Sequence, residues 1–267
     1  MSSLTTGNAA QYGNSQKLAA RARLMSQYTV SEQPWFPWVA SRLPLHAGDR
    51  ILDAGCGPAW FWEAAVETVP AGIALTLADL SPGMVEEALA RCAALPFAAA
   101  DGRVADAAAL PFPADSFDGV IAMHMLYHLP DPAQAIAEMA RVLKPGGFLA
   151  ITTNGTGNMR SLYELTTAFG GLPCDPAAAA FGFAEAEGAL QAQFGNVEKH
   201  GLQTEMCVTS AEDVFLALTS YPPGDSATED QLACFRDAIG AAFTAGDGVL
   251  RASKETGLFV STKPGTA

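Results

Sequence analysis

The chain has 267 residues, 49% of them hydrophobic and only 16% charged, a composition that fills a large core and excludes global disorder. Its 28 acidic side chains outnumber 15 Lys and Arg, for a net charge of −13. That balance supplies no basic footprint for the phosphates of a nucleic acid, and an anionic membrane surface repels it.

Five cysteines (Cys56, Cys92, Cys174, Cys207 and Cys234) are scattered, odd in number and never paired as CxxC. They form neither a disulfide framework nor a zinc site. The four histidines lack metal-ligand spacing, so no metal is expected. The N-terminal stretch has no apolar core of a signal peptide, and no run approaches the roughly 20 apolar residues of a membrane span. The expectation is a cytoplasmic protein with neither nucleic-acid nor membrane partners; its oligomeric state is open. The length suits one α/β domain with an added cap.

In chain order, residues 1–14 are polar, and 15–28 and 31–43 read as two helices, the second starting at Ser31 and carrying Trp35, Phe36, Trp38, Val39 and Leu43. Core packing is the reading for Trp38, whereas an aromatic near Tyr28 is placed to cover a ligand. From residue 50 strands alternate with helices: strands 50–54, 73–79, 103–106, 119–123 and 148–154, helices 60–68, 82–94 and 132–143. This rhythm predicts a parallel sheet with helices on both faces. Lys144-Pro145-Gly146-Gly147 stops a helix and turns into the next strand. Beyond Asn154 the rhythm breaks into helices near 158–169 and 181–194, a strand at 197–208, helices near 211–219 and 228–244, and a last strand near 256–262. The two helical insertions read as a cap. The boundaries are N-terminal helices at 1–45, a ligand-binding core at 46–154, and cap helices with the last two strands at 155–267.

The chemistry concentrates where strands end. Ile51-Leu52-Asp53-Ala54-Gly55-Cys56-Gly57 closes the first strand and opens a helix, with glycines that let the backbone turn tightly and approach a ligand. A carboxylate at Asp53 repels a pyrophosphate and suits a ligand carrying an amine. Asp79 closes the second strand, where α/β nucleoside binders hold ribose hydroxyls. Ser81-Pro82 then starts a helix with a cap and a proline at its first position. Asp106 follows the third strand and can accept from the exocyclic amine of adenine. Each acid alone reads as a solvated loop residue; three in phase on one edge do not.

The runs ILDAGCG, LADLSPGM and ADAAALPFPADSFDGVIAMHMLYHLPDPAQAIAEMARVLKPGGFLAIT resemble the class I S-adenosylmethionine-dependent methyltransferases. The closer likeness is to their small-molecule branch, with the quinone C-methyltransferases and natural-product tailoring enzymes. It covers about residues 48–154. It implies a doubly wound α/β fold with a seven-stranded, mostly parallel sheet whose last strand is antiparallel, a helical cap, and S-adenosyl-L-methionine as cofactor, leaving S-adenosyl-L-homocysteine as product. Asp53, Gly55 and Gly57 would meet the methionine part, Asp79 would hold the ribose and Asp106 the adenine amine, with Leu80 and Ala107 as further cofactor contacts. Ala122, Met123 and His124 would border the sulfonium, and Tyr28 would be a further cofactor contact from the N-terminal helices. One departure is Ala59, which stands where the family's turn has its third glycine; the expectation is that binding survives with a slightly altered loop.

On the acceptor side, His124 is either a general base or an orienting group, and His128 braces its loop. Asn154 either orients a polar substrate or caps the next helix, and Tyr163 is a further acceptor contact. Direct in-line methyl transfer needs no obligatory acid, base or metal. The expected activity is methyl transfer to a small molecule, with acceptor atom and molecule open. The alternative is a non-catalytic cofactor binder on the same scaffold. A macromolecular methyltransferase is disfavoured by the charge. A nicotinamide-dependent oxidoreductase is disfavoured by Trp60, which stands where a pyrophosphate fingerprint wants its third glycine.

Overall fold

A computed structural model describes residues 16–265; the polar segment 1–14 and residue 15, read as the start of a helix, lie outside the described residues. The strands are β1 (Thr29–Val30), β2 (Arg50–Ala54), β3 (Ala74–Asp79), β4 (Ala99–Val104), β5 (Phe117–Met123), β6 (Leu143–Asn154), β7 (Glu198–Val208) and β8 (Leu250–Thr262). They form one sheet in the order β1-β7-β8-β6-β5-β2-β3-β4. The pairs β2–β3, β2–β5, β3–β4 and β5–β6 are parallel. The last strand, β8, is antiparallel to β6: Lys263 exchanges backbone hydrogen bonds with Gly146 and Gly147 at one end, and Gly155 donates to Glu255 at the other. The sheet has eight strands rather than the expected seven, because Thr29 and Val30 pair antiparallel with Met206 and Glu205 of β7. Two residues carry too little pattern to read as a strand.

Strand order reverses at β2. From there the chain winds outward through β3 and β4 on one side, and through β5 and β6 on the other. That reversal makes the sheet doubly wound and opens a crevice at the carboxyl ends of β2 and β5.

Several boundaries differ from the sequence expectation for identifiable reasons. The helix expected from Ser31 is α2 (Trp35–Ala40), capped by an extended Pro34, since the residue before a proline is pushed out of helical geometry. The helix expected at 60–68 is only α3 (Trp60–Ala64). β4 spans Ala99–Val104 rather than 103–106; its Ala-Ala-Asp-Gly start has little strand propensity, and pairing with β3 imposes the extended form. β6, expected at 148–154, begins at Leu143. Its register jumps from Leu143 opposite Phe117 to Phe148 opposite Gly119, so Lys144 to Gly147 bulge out between the two pairs.

The remaining helices are α1 (Gln16–Tyr28), α4 (Pro82–Cys92), α5 (Pro132–Val142), α6 (Arg160–Leu165), α7 (Pro176–Phe181), α8 (Phe183–Phe194), α9 (Ala211–Leu218) and α10 (Glu229–Ala245). Caps account for many of the starts. Ser81 accepts from Met84 N–H, Asp131 from Gln134 N–H and Asp175 from Ala177 N–H, each followed by proline at the first helical position. Thr228 and Gln231 form a reciprocal capping box for α10.

The chain divides into two compact units. One holds 33–153, 184–200 and 258–265. Its core is the sheet itself: Ile51, Leu52, Leu75, Leu77, Val120, Ile121, Leu149 and Ile151 are each at most 2% exposed. The other holds 16–32, 154–183 and 201–257, with a core of Leu24, Met159, Leu162, Phe169, Met206, Val214, Phe235 and Ile239. Within it a buried carboxylate, Asp175, accepts from Asn154 Nδ2 (2.8 Å), Asn158 Nδ2 (2.6 Å) and Ala177 N–H (2.8 Å). Burial raises its pKa against those three bonds.

The β5–β6 contact is tight. A Cβ at Gly119 would overlap the Phe148 ring and lie 2.9 Å from Ile51 Cδ1. Gly119→Ala is therefore expected to destabilise the protein by about 1–3 kcal/mol, the usual cost of overpacking. Urea denaturation measures this, and an unchanged midpoint would contradict so close an approach.

Candidate active site

The turn after β2 is built on left-handed backbone. Gly55 has φ +75° and Gly57 φ +50°. A Cβ on Gly55 would sit 2.8 Å from Met125 Cγ, so this glycine meets both a conformational and a steric demand. The Ala78 carbonyl accepts from both Gly55 N–H (2.7 Å) and Cys56 N–H (3.0 Å), tying the turn to the end of β3. Ala59, the departure from three glycines, has φ +59° and ψ +31° and directly precedes α3. The alanine has adopted the conformation a glycine takes freely.

Asp79, at the last position of β3, accepts from Gly57 N–H at Oδ2 (3.0 Å) and from Ser81 N–H at Oδ1 (2.9 Å). Burial raises its pKa, and the Ser81, Gly57 and Leu80 N–H groups oppose that rise. Leu80 beside it is 64% exposed. Asp53 is almost sealed, at 3% exposure, and its Oδ2 accepts from the indole Nε1–H of Trp62 at 2.8 Å. Burial pushes Asp53 up to about 7, the Asp79 charge adds to the rise and the Trp62 bond opposes it. The buried Cys56 thiol is pushed far up by desolvation and both carboxylates, which makes it inert.

Asp106, after β4, is exposed. Its Oδ1 accepts from Ala108 N–H (2.9 Å) and its carbonyl from Ala109 N–H (3.0 Å), an Asx turn that fixes the carboxylate. Ala107 is buried. At the end of β5, Ala122 is fully buried and Met123 partly so. His124 follows at φ +50°, a strained conformation for a non-glycine residue. Its N–H donates to Thr152 O (3.2 Å) and Thr152 Oγ1 (3.1 Å). The His124 ring lies 5.8 Å from Trp35, itself stacked on Trp38 at 5.3 Å.

One unit thus contains Asp53, Gly55, Gly57, Asp79, Leu80, Asp106, Ala107, Ala122, Met123 and His124. Tyr28, Asn154 and Tyr163 belong to the other. There the Tyr28 hydroxyl donates to Asp213 Oδ2 at 2.6 Å, Asn154 donates to Asp175, and Tyr163 is buried in that unit's core. Sequence reasoning missed Trp62 and Thr152. An indole in a one-turn helix and a threonine in a buried strand both read as core. Among the described residues no group of three or more His, Cys, Asp or Glu could hold a metal ion, and no helix is long and apolar enough to cross a membrane.

This sheet order, with its glycine turn at the switch point, defines a class I methyltransferase fold. Residues 52–151 match the family described as a methyltransferase domain. The 27-O-demethylrifamycin SV methyltransferase of Amycolatopsis mediterranei is 43% identical over 118 residues, 42% of this chain and 41% of that protein. The matched stretch thus spans about two-fifths of this curated relative. Among solved structures, phosphoethanolamine N-methyltransferase 2 of Haemonchus contortus, in complex with S-adenosyl-L-methionine, is similar with a TM-score of 0.59 at 19% identity, covering 98% of this chain and 60% of that one. The (4+2) cyclase SpnF is similar with a TM-score of 0.59 at 22% identity, covering 100% of this chain and 98% of that one. At these identities the two structures speak to the fold alone.

The left-handed Ala59 is 1% exposed. Ala59→Gly is expected to leave stability within about 1 kcal/mol, as relief of the left-handed strain offsets the lost methyl and added chain entropy. Ala59→Val, β-branched in the same backbone region, should cost about 2 kcal/mol or more. Guanidinium denaturation of the pair checks the difference, and equal stabilities would contradict the strain.

Proposed function

We propose that the protein binds S-adenosyl-L-methionine and transfers its methyl group to a small-molecule acceptor. The observation that carries this reading is the alignment of Asp53, Asp79 and Asp106 at the carboxyl ends of β2, β3 and β4, beside a glycine turn at the switch point. The donor set fits this cofactor. Two carboxylates near the turn suit a ligand with an ammonium and a sulfonium and disfavour a pyrophosphate. No side chain obstructs the turn at Gly57, where a Cβ would meet nothing within 4 Å.

In this reading Asp79 accepts from the ribose hydroxyls through lone pairs that its two backbone bonds leave, and Leu80 covers the sugar. Asp106 accepts from the adenine amine beside Ala107. Gly55, Gly57 and Asp53 receive the methionine part, and Ala122 and Met123 border the sulfonium. Tyr28, Asn154 and Tyr163 lie in the other unit, where Asp213 holds the Tyr28 hydroxyl and Asp175 accepts from Asn154. When bound, the cofactor supplies an electrophilic methyl group. The protein aligns the acceptor in line with it and excludes water. His124, held at the edge of β5 by Thr152, orients the acceptor or removes its proton. The net charge of −13 favours a small acceptor over a nucleic acid, in the cytoplasm.

The alternative is cofactor binding without methyl transfer on the same scaffold. Incubating the protein with a metabolite extract and methyl-deuterated cofactor separates the two. Methyl transfer gives a product carrying the deuterated methyl; the second reading gives none.

Two outcomes are expected for the cofactor site. S-adenosyl-L-homocysteine should raise the melting temperature by mass action, while NAD and NADP should not; stabilisation by NAD alone would overturn the assignment. Asp79→Ala should weaken S-adenosyl-L-homocysteine binding at least about tenfold, because a bidentate charge-assisted contact contributes roughly 1.5–3 kcal/mol. Calorimetry measures it, with circular dichroism to confirm that the turn survives loss of the Gly57 and Ser81 bonds.

A further inference from the structure

The carboxylate of Asp53 is unusual in having one neutral partner and no cation. Asp53 is the penultimate residue of β2, flanked by Leu77 of β3 and Ile121 of β5 in register. The titratable groups that bear on it are Asp79 at the end of β3, Cys56 in the turn and Cys92 in α4. None is positively charged at neutral pH. Among the described residues the one donor to its side chain is the Trp62 indole, at 2.8 Å to Oδ2. Oδ1 is thus the oxygen left for a ligand.

Trp62 is itself immobilised. It is fully buried and packs edge-on against Phe61 (4.9 Å) and Phe97 (5.5 Å). Aromatic contacts of this kind fix the ring plane, and hence the direction of the N–H. A buried carboxylate given a single, rigidly aimed donor on one oxygen has its rotamer set and its charged form favoured.

Resting on the reading that this turn binds S-adenosyl-L-methionine, we propose that Trp62 is a positioning residue for recognition of the cofactor's ammonium group. Its indole N–H orients Asp53 so that Oδ1 meets the amine, and it keeps the carboxylate available in its ionised form. Binding of the cationic amine to Asp53 is then linked to loss of a proton from that carboxylate. The pKa of about 7 sets the pH window. Below it Asp53 is protonated in the free protein and affinity for the aminated ligand falls, by up to about tenfold per pH unit. Removing the indole donor raises the pKa further, so the fall begins at higher pH.

The test is calorimetric titration with S-adenosyl-L-homocysteine between pH 5.5 and 9, for the unaltered protein, Trp62→Phe and Asp53→Asn. Trp62→Phe should move the midpoint of the affinity profile up by about one pH unit and regain near-normal affinity at the alkaline end. Asp53→Asn should flatten the profile, and the S-adenosyl-L-homocysteine analogue lacking the α-amino group should bind all three proteins with little pH dependence. A Trp62→Phe profile that coincides with that of the unaltered protein, or that is lowered equally at every pH, overturns the proposal. Failure of the unaltered protein to bind S-adenosyl-L-homocysteine at any pH overturns the cofactor assignment itself. Should Trp62→Phe not fold, the Trp62 indole N–H resonance of the unaltered protein serves instead. It should titrate with a midpoint near 7 that moves down when S-adenosyl-L-homocysteine is present. An indole signal that does not titrate overturns the proposal.

Discussion

The Ala78 carbonyl accepts two successive N–H groups, from Gly55 and Cys56, and the geometry of the candidate site follows from that shared acceptor. It forces the chain leaving β2 to fold back over the end of β3, which in turn brings Gly57 N–H onto Asp79 Oδ2. Only left-handed backbone can make this bend, hence the positive φ values at Gly55, Gly57 and Ala59. The acid at the end of β3 and the turn after β2 are therefore one hydrogen-bonded object. Neither can shift without moving the other, a preorganisation that lowers the ordering cost of a bound ligand.

The other compact unit solves a different problem. It buries Asp175 and Asp213 among apolar helices, and each carboxylate is satisfied locally. Asn154, Asn158 and the α7 backbone serve Asp175. The Tyr28 hydroxyl and Arg23 serve Asp213. Buried charge left without such donors costs several kcal/mol, so these contacts specify where α1, α7 and α9 attach within the unit. Asn154 and Tyr28, singled out from the sequence for ligand contact, thus also have structural work.

The legible parts of this chain were those with repeated or local signals. The alternation of strands with helices marks β2, β3 and β5, and Ser81-Pro82 marks the start of α4 because cap and proline act within a few residues. What escaped depends on partners distant in sequence. Ala99-Ala100-Asp101-Gly102 is extended because β3 pairs with it. Thr29 and Val30 become a strand only against β7. Asp53 was read as a ligand contact from its position alone. That an indole nine residues later takes one of its oxygens depends on the pitch of a five-residue helix after a left-handed alanine, which no periodicity encodes. His124 stood out by residue type, but its strained backbone and its anchor on Thr152 emerge only once β5 and β6 are paired.

The two outermost strands have a bearing on how copies of this protein meet. Unpaired strand edges offer free N–H and C=O groups to neighbouring molecules, a common origin of aggregation. At one border the sheet ends in β1, only two residues long, too short to seat a foreign strand. At the other it ends in β4, whose Asp101 and Arg103 are exposed and whose Gly102 has no side chain to hold a neighbour. Among the described residues, both borders of this sheet are therefore poor templates for edge-to-edge strand pairing.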